Sequence, residues 1–470
     1  MPLLRKSQIA VKIEDIEGTY QAPVAADLLP ILAQPSIEYD LAVIERDTAR
    51  GTLTMPEAMP SFRAARGRFL MELAGHTSGA GIAAPFDLPL RACGMRRTST
   101  KRIAIPSTFT AGTVVVTNDT FTAAPSGATG RVVGDVQQGE TKLVYEALSG
   151  TVASSDVLTF TTKSGTPAPV ITLGAITIVN TFSYEPADRM LSRLSIASQT
   201  GGGVVVGDEL VGGTSGARGI VAAALVAGGT LIFERVHGSG HFVAAETINA
   251  TGGKTLTVSG GAVETQDRIP SLSILNPMDN TILKAMKGAR GSWSLALVNG
   301  DRGIFTFDFR GCAVQSVDGQ LLTWPGDTGK TPPSVTGGAY RLDNVFVPAF
   351  REASFDMQNQ LELRHAPADS TGTGYESCWI TGRAARGRLD PETVRDAVYA
   401  MQSKAWAKGT FRLTAKLGGE SGDGNTFEVR CRKVQIETPR EADRGGVLTT
   451  ELPLILRGDG ADELILHHIA

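Results

Sequence analysis

Two short stretches carry residue types that bind phosphate or metal in other proteins. PGDTGKT (325–331) has only two residues between Gly326 and Gly329, whereas a phosphate-binding loop needs four there and a helix after it. HGSGH (237–241) places two imidazoles at a spacing that binds zinc on a helix, and its two glycines disfavour a helix. We therefore expect no nucleotide site, no metal site and no cofactor.

Groups that could catalyse a reaction are equally sparse. His467 and His468 point to opposite faces of an apolar terminal stretch that reads as a strand, and no Ser-His-Asp grouping or nucleophile elbow occurs. The four cysteines are far apart and form no CxxC pair, which is typical of reduced structural thiols. We expect a protein that is not an enzyme.

The chain has the size of several domains and little net charge. Its 470 residues allow about three domains of about 150 residues each. A net charge of -3 and a pI of about 6.1 exclude the basic surface of a protein that grips nucleic acid. The N-terminus lacks an apolar signal core, and no stretch approaches the ~20 apolar residues of a membrane span. We expect synthesis in the cytoplasm and no membrane contact.

A twelve-residue motif occurs twice. DTFTAAPSGATG (119–130) returns as DELVGGTSGARG (208–219), at a constant offset of 89 residues. Both copies lie among short β-rich runs separated by Gly, Asn, Asp and Ser, the pattern of small antiparallel β units. The sequence therefore predicts two inserted β modules, the first module at 103–177 and the second module at 199–263.

A fainter duplication involves the rest of the chain. SIEYDLAVIER (36–46) resembles SFDMQNQLELR (354–364), and GSWSLAL with FTFDFRGC (291–312) resembles GTFRLTA with FEVRC (409–431). This order predicts a mainly β core fold present twice, although generic similarity between alternating strands remains an alternative. The first half comprises 1–102, the connecting strand 178–198, and 264–345; the second half is 346–470.

Each half is expected to contain one short helix. In DPETVRDAVYAMQSKAWAKG (390–409), Asp390 is a good N-cap, Pro391 suits the first turn, and Gly409 follows the end. Apolar residues recur at helical spacing between them. FDLPLRACGM (86–95) is the expected counterpart in the first half.

The strands of both halves separate apolar from acidic side chains by the two-residue period. The predicted core positions are Ile37, Tyr39, Leu41, Val43, Phe355, Met357, Leu361 and Leu363. The predicted carboxylates on the opposite face are Glu38, Asp40, Asp356 and Glu362. An ordinary solvated sheet face is the alternative interpretation.

The order of several motifs resembles one virion protein family. KIEDIEGTYQAP, SIEYDLAVIERDTARGTL, RGRFLMELAGHTSGAG and PLRACGM, in this order, are similar to the N-terminal region of tail tube (major tail) proteins of long-tailed bacteriophages. ITGRAARGRLDPETV and DRGGVLTTELPLILRGDGADELILHHI are similar to the C-terminal part of that family. The resemblance covers roughly residues 8 to 100 and 265 to 470, so the two modules lie outside it as surface insertions.

The resemblance implies a tail-tube β-sandwich or barrel fold whose hairpins build a channel for double-stranded DNA. Carboxylates suit that lining because like charge keeps phosphate from adhering. Glu38, Asp40, Asp356 and Glu362 are then the lumen candidates. The residues expected at subunit or ring contacts are Arg46, Arg50, Met55, Arg364, His365 and Asp369.

The resemblance also implies partners and a location. Family members form rings of six folds, so three copies of a duplicated chain give a trimeric ring with pseudo-sixfold symmetry, and a hexamer is the alternative. The expected partners are further copies of the chain, a tape measure protein, tail terminator and baseplate or distal tail proteins, and DNA passing without specific binding. The expected place is the phage tail, after assembly in the host cytoplasm. Another virion structural protein, or an adhesive or carbohydrate-binding β protein, is the competing function.

Overall fold

The structure is a computed structural model. It describes the chain apart from residues 1–5, 15, 33–34, 46–56, 77–82, 112–113, 162–168, 188, 206, 224–228, 237–239, 262–264, 328, 344, 368–371, 419–423, 459–461 and 470. Arg46, Arg50, Met55 and Asp369 therefore lie outside the described residues.

The described part of the chain is mainly β. The elements before the second module are β1 Ala10–Ile13, a 3-10 turn Ala25–Asp27, β2 Ser36–Ile44, β3 Met59–Glu72, α1 Asp87–Ala92, β4 Met95–Ala104, β5 Val114–Val115, β6 Thr120–Ala124, β7 Thr129–Val132, β8 Val136–Gln137, β9 Lys142–Ser149, β10 Val157–Thr161, β11 Val170–Thr172 and β12 Val179–Pro186. The following strands are β13 Arg189–Thr200, β14 Glu209–Gly212, β15 Arg218–Ala223, β16 Thr230–Arg235, β17 Thr247–Ala250, β18 Lys254–Val258 and β19 Thr265–Arg268.

The remaining elements complete the first half and form the second. They are β20 Leu272–Met278, β21 Ile282–Val298, β22 Gly303–Asp318, β23 Ala339–Leu342, β24 Phe350–Asp356, β25 Asn359–His365, β26 Tyr375–Arg383, β27 Arg386–Pro391, α2 Met401–Trp406, β28 Thr410–Leu417, β29 Thr426–Ile436, β30 Arg440–Arg444, β31 Val447–Arg457 and β32 Ile465–Ile469. Neither helix is long and apolar enough to cross a membrane, as far as the described residues extend.

One antiparallel sheet joins the two halves. Its strands pair in the order β2–β3–β22–β21–β24–β27–β31, and β31 also pairs with β29 and β30. We call this the main sheet. One of its faces buries Phe69, Trp293, Phe307, Phe355 and Leu454 in a single apolar core. The first and second halves therefore share one core rather than folding separately.

The second module is a small closed barrel. Its strands pair in the circle β13–β16–β15–β14–β17–β18 and back to β13. In the first module the order β4–β9–β7–β6–β10–β11 repeats this arrangement, and an isolated bridge joins Ala111 to Val170. The predicted boundary at 103 falls within β4, which pairs with β12 as well as with β9 of the first module. The boundary at 199 falls within β13, whose partners β16, β18 and β19 all belong to the second barrel, so this module begins earlier than predicted.

The repeated motif is a turn held by a serine and a distant carboxylate. Ser126 donates its backbone N–H and its hydroxyl to Asp156, and Ser215 makes the same two contacts with Glu246. The glycine after each serine has a positive φ, which glycine adopts at little cost. The Ser and Gly positions of the motif are thus explained by turn geometry.

The helix predicted at 390–409 is wrong in its extent. The helix covers only Met401–Trp406, and Asp390 and Pro391 end β27 instead. Asp390 Oδ1 accepts the backbone N–H groups of Arg351 and Glu352 at 2.9 and 2.7 Å. Pairing with β24 therefore overrides the capping preference of Asp390. The counterpart predicted at 86–95 agrees with α1.

The alternation in SFDMQNQLELR predicts one strand, and this prediction is wrong. The stretch breaks at Gln358, whose φ is +46°, so β24 lies in the main sheet and β25 forms a separate hairpin with β26. In SIEYDLAVIER the core alternation holds at Ile37, which is buried, and at Tyr39, which is partly buried against the core. It then fails, because Leu41 and Val43 are 59% and 62% exposed. The apolar pattern does continue there, but nothing in the described chain covers it.

The hairpin β2–β3 and the segment β24–β27 of the second half have the same register. The equivalent pairs are Ser36–Arg68 and Ser354–Arg388, Ile37–Gly67 and Phe355–Gly387, Glu38–Arg66 and Asp356–Arg386, Leu41–Arg63 and Asn359–Arg383, Val43–Pro60 and Leu361–Ile380, and Ile44–Met59 and Glu362–Trp379. Agreement at every one of these positions indicates a structural repeat rather than a generic likeness of strands.

Candidate functional site

The face of the main sheet opposite the core carries charged side chains, and we call it the polar face. It follows from the stretch RAARGR in β3, where Ala65 and Gly67 are buried while Arg66 and Arg68 are exposed. The same stretch recurs at 383–388, so β27 presents Arg386 and Arg388 on the same face.

Three of the four predicted lumen carboxylates lie on the polar face. Glu38 and Asp40 are exposed on β2, and Asp356 is half-buried on β24. Glu38 and Asp356 lie on strands four spacings apart, roughly 19 Å across the sheet at about 4.8 Å per strand. They are also offset along the strands, because Asp356 is in line with Leu70 of β3, whereas Glu38 faces Arg66. Glu362 is exposed as well, but it lies on the β25–β26 hairpin outside the main sheet.

Arginines on the neighbouring strands lie opposite the carboxylates of β2 and β24. The interpretation of the sequence missed these arginines. Glu38 pairs across the strands with Arg66, and Asp356 pairs with Arg386. Arg310 continues the row beyond Arg66 on β22. The face is therefore of mixed charge rather than purely acidic. The signal was the repeat of RAARGR, visible in the sequence once the two hairpins are aligned.

Several of these arginines form ion pairs on the polar face. Their closest nitrogen–oxygen distances are 3.6 Å for Arg68–Asp308, 2.8 Å for Arg386–Glu437 and 2.7 Å for Arg388–Glu451. The partners are partly or largely exposed to solvent, so each pair adds little stability, at most about 1 kcal/mol. Their main effect is to neutralise the arginines locally.

The hairpin β25–β26 folds back onto the first half of the chain. Leu363 and Cys378 pack with Ala64, which this hairpin buries to 6% exposure. Trp379 Nε1 donates to Glu17 at 2.8 Å, and Arg290 donates to the Cys378 carbonyl. Together these contacts fix the hairpin to the polar side of β3 and β21.

Arg364 and His365, predicted at subunit contacts, have partners within the chain, in this hairpin and on β3. Arg364 forms an ion pair with Glu376 at 2.9 Å and lies 5.0 Å above the Trp379 ring. The His365 ring contacts Phe62 and Tyr375, with centroid distances of 5.1 and 4.9 Å. Both side chains are nevertheless exposed on their other side.

The equivalent hairpin end of the first half is less covered by the described residues, although Phe62 contacts the rings of His365 and Tyr375. Its exposed apolar side chains are Leu41, Val43, Ile44, Met59 and Phe62, with exposures between 41% and 62%. Beside them a groove of about 1040 Å³ runs between β2 and β22. Exposed apolar side chains clustered in this way mark an interaction site. We call these five residues the apolar tip.

Buried ion pairs attach the first module to both halves. Arg131, only 1% exposed, contacts Glu146 at 2.7 Å and Glu185 of β12 at 2.9 Å. Burial alone would raise the pKa of Glu185, but the charges of Arg131 and Arg96 hold it well below its usual range. The contact with the second half is made by Asp135 of the first module, which lies 3.0 Å from Arg412 of β28.

The second module has a buried link of its own. Glu234 on β16 lies 3.1 Å from Arg91 of α1, and both side chains are buried. Ile232 packs with Ala187 and Ile269, which flank the module. Both modules are thus joined to the core by specific contacts and are more than appended decoration.

The stretches considered first for chemistry hold no assembled site. In the described residues, no three His, Cys, Asp or Glu side chains come together as metal ligands. His241 lies against Arg235, with nitrogen distances of 2.7 and 3.0 Å, and His237 is outside the described residues. No helix starts directly after PGDTGKT in the described residues, where a phosphate-binding loop would need one.

Comparison with protein-family profiles and with curated protein sequences found no match to this chain.

Proposed function

We propose that this chain is a structural virion protein of the tail tube type, which assembles with itself into stacked rings around a channel for double-stranded DNA. The observation that carries the proposal is the repeated hairpin, matched pair for pair in the two halves. One copy is docked within the chain, whereas the other ends in the exposed apolar tip. A chain built in this way has a ready contact for a second copy of itself.

The polar face is the proposed channel lining. Glu38, Asp40 and Asp356 project from it, and the neighbouring arginines are partly neutralised by Asp308, Glu437 and Glu451. DNA adheres to a protein through Lys and Arg that replace its counterions. A face of balanced charge offers few free cations to the phosphates of passing DNA. Such a face suits the passage of DNA better than its binding.

Three copies supply six equivalent hairpins, so a trimeric ring of pseudo-sixfold symmetry fits the repeat, with a hexamer as the alternative. In that arrangement the tape measure protein occupies the channel before DNA does. Tail terminator and distal tail proteins close the two ends. The tube belongs to the virion and forms in the host cytoplasm, and the two modules project from its outer side.

Negative-stain electron microscopy of the purified full-length chain at high concentration, with tail initiation components added, tests this proposal. We expect rings and tubes with a central channel. A monodisperse monomer under the same conditions, or a particle without a channel, contradicts it.

A further inference from the structure

At each end of the main sheet, one strand has an edge without a strand partner in the described chain. β2 pairs only with β3, and β30 pairs only with β31. Unpaired strand edges are templates for pairing with another chain unless they are covered or blocked. The repeat within the chain shows which partner fits each edge.

In the second half, β24 is the equivalent of β2, and its other edge is paired. β24 lies beside β21, with Asp356 opposite Ser294 and Phe355 opposite Leu295. Asp356 is the equivalent of Glu38, since each faces the same arginine of RAARGR. The β21–β24 junction therefore shows how a strand of the β2 type is continued on its free side.

β30 is the equivalent of β21. β3 pairs with β22 so that Arg66 faces Arg310, and β27 pairs with β31 so that Arg386 faces Ile455. Counting along these registers makes Phe305 of β22 equivalent to Thr450 of β31. Their hairpin partners are Leu295 on β21 and Glu441 on β30, so Ser294 corresponds to Arg440.

We propose that β2 of one copy pairs antiparallel with β30 of a second copy, in the register that β24 and β21 use within the chain. Glu38 then faces Arg440 across the junction, and Ile37 faces Glu441. The inference rests on the proposed self-assembly and assigns the strands and residues that form it. Repetition of the junction continues the main sheet from copy to copy around the ring.

The charges at the two edges are complementary. Glu38 and Arg440 are both exposed in the single chain. Directly opposed residues of an antiparallel pair have Cβ atoms about 4.5–5.5 Å apart, within reach of an ion pair. Lys284 lies beside β2 and donates to the Ile37 carbonyl at 3.1 Å. A flexible lysine at an edge discourages uncontrolled pairing.

The uncovered surfaces also correspond. Ala64 is buried beneath the β25–β26 hairpin, while its equivalent in the second half, Ala384, is exposed. The apolar tip is the first-half equivalent of that hairpin. When β2 joins β30 of a neighbour, the tip lies on the side of the neighbour that carries Ala384, so one contact covers both surfaces.

Disulfide cross-linking tests the register in the full-length chain. The variant Glu38→Cys with Arg440→Cys should form disulfide-linked dimers and larger species on mild oxidation, visible on a non-reducing denaturing gel. Glu38→Cys with Arg444→Cys is the register control, since four residues along a strand displace the thiol by roughly 13 Å. Ser294→Cys with Asp356→Cys should cross-link within one chain. The native cysteines are all buried.

The outcomes separate this inference from the proposed function. Rings seen by microscopy without the Glu38–Arg440 cross-link, or equal cross-linking in the register control, overturn the strand assignment and leave tube formation standing. Absence of rings from the unmodified chain overturns both. As a second test, Arg440→Glu should abolish rings while leaving thermal unfolding unchanged, and Glu38→Arg combined with Arg440→Glu should restore them. Failure of that restoration, with both proteins folded, also contradicts the ion pair.

Discussion

Arg131 is the residue on which the attachment of the first module most depends. Its guanidinium is fully buried between Glu146 and Glu185, and it also donates to Asn118 at 2.7 Å. A buried ion pair adds little net stability when complete, but removal of one partner leaves an uncompensated charge. The same chemistry on the polar face, at the exposed pair Arg68–Asp308, carries no such penalty.

We expect Arg131→Met to lower the free energy of unfolding by about 3–5 kcal/mol, because Glu185 keeps only Arg96 as an ionic partner. Arg68→Met is the matched control and should change it by less than about 1 kcal/mol. Urea unfolding followed by circular dichroism measures both. Equal effects of the two variants would show that the burial of Arg131 does not determine its contribution to the free energy of unfolding.

His467 should make the protein sensitive to mild acid. Burial, reinforced by the charge of Arg430, lowers the pKa of His467 from 6.5 to about 4. The unfolded chain then binds a proton that the folded chain does not, so stability is full above pH 6.5 and falls as the pH drops towards 4. At about 1.4 kcal/mol per pKa unit, the loss from this residue approaches about 3 kcal/mol.

His467→Gln removes this titration while retaining a polar group near Ser183, whose hydroxyl lies 2.7 Å from the His467 Nδ1 atom. We expect the variant to be less stable at neutral pH but to have a flatter stability profile between pH 6.5 and 4 than the unmodified chain. Thermal unfolding in a series of buffers gives the two profiles. If the melting temperatures of the two proteins fall equally steeply with decreasing pH, a group other than His467 causes the acid sensitivity.

At the scale of elements, one hairpin design occurs in two environments. The second-half copy bends at Gln358 and partly buries Leu361, the equivalent of Val43, whereas the first-half copy keeps Leu41 and Val43 in solvent. The difference lies in what covers each copy, since their registers agree. The docked hairpin therefore contributes to folding, and the exposed one is available for assembly.

Val43→Ser should consequently weaken ring formation and leave thermal unfolding nearly unchanged, because the side chain is 62% exposed in the single chain. Leu363→Ser is the matched control, and it should cost about 2–5 kcal/mol of stability as a buried large-to-small change with an added hydroxyl. Analytical ultracentrifugation measures assembly, and calorimetry measures unfolding. Unimpaired rings in Val43→Ser would remove the apolar tip from the interface.

The two modules should differ in how well they can be excised. Arg189 and Arg268 pair at the base of the second barrel, so a short Gly-Ser linker can replace residues 190–267. In the first module, Val133 and Val144 pack against Ile465 of β32. We expect excision of 190–267 in the second module to leave a folded chain. We expect removal of 114–173 in the first module to lower the melting temperature sharply. The opposite ranking would contradict the contacts described for the first module.

Some of these elements follow from the sequence and some do not. Alternation and repeats predict the strands, the two modules and the duplication, because these are local or self-similar signals. The helix predicted from Asp390 and Pro391 fails because β24 supplies partners that no local pattern reveals. The carboxylates of the polar face could be predicted from the two-residue period of the strands, but the arginines opposite them depend on the register between distant strands.

At the scale of the whole molecule, the two equivalent halves form the main sheet, which has an unpaired strand edge at each end in the described residues. A closed ring removes both edges at once, which an isolated subunit cannot do. The mixed charge of the polar face and the exposure of the apolar tip fit the same arrangement. Ring closure is therefore the central claim, and every proposed interface depends on it.

Cryo-electron microscopy of tubes assembled from the full-length chain tests that claim most directly. The predicted map has rings of three chains, six equivalent hairpins around a channel, the polar face with Glu38 and Asp356 towards the channel, and both modules outside. A map in which the polar face points outward, or in which β2 and β30 remain unpaired within a closed ring, would contradict it.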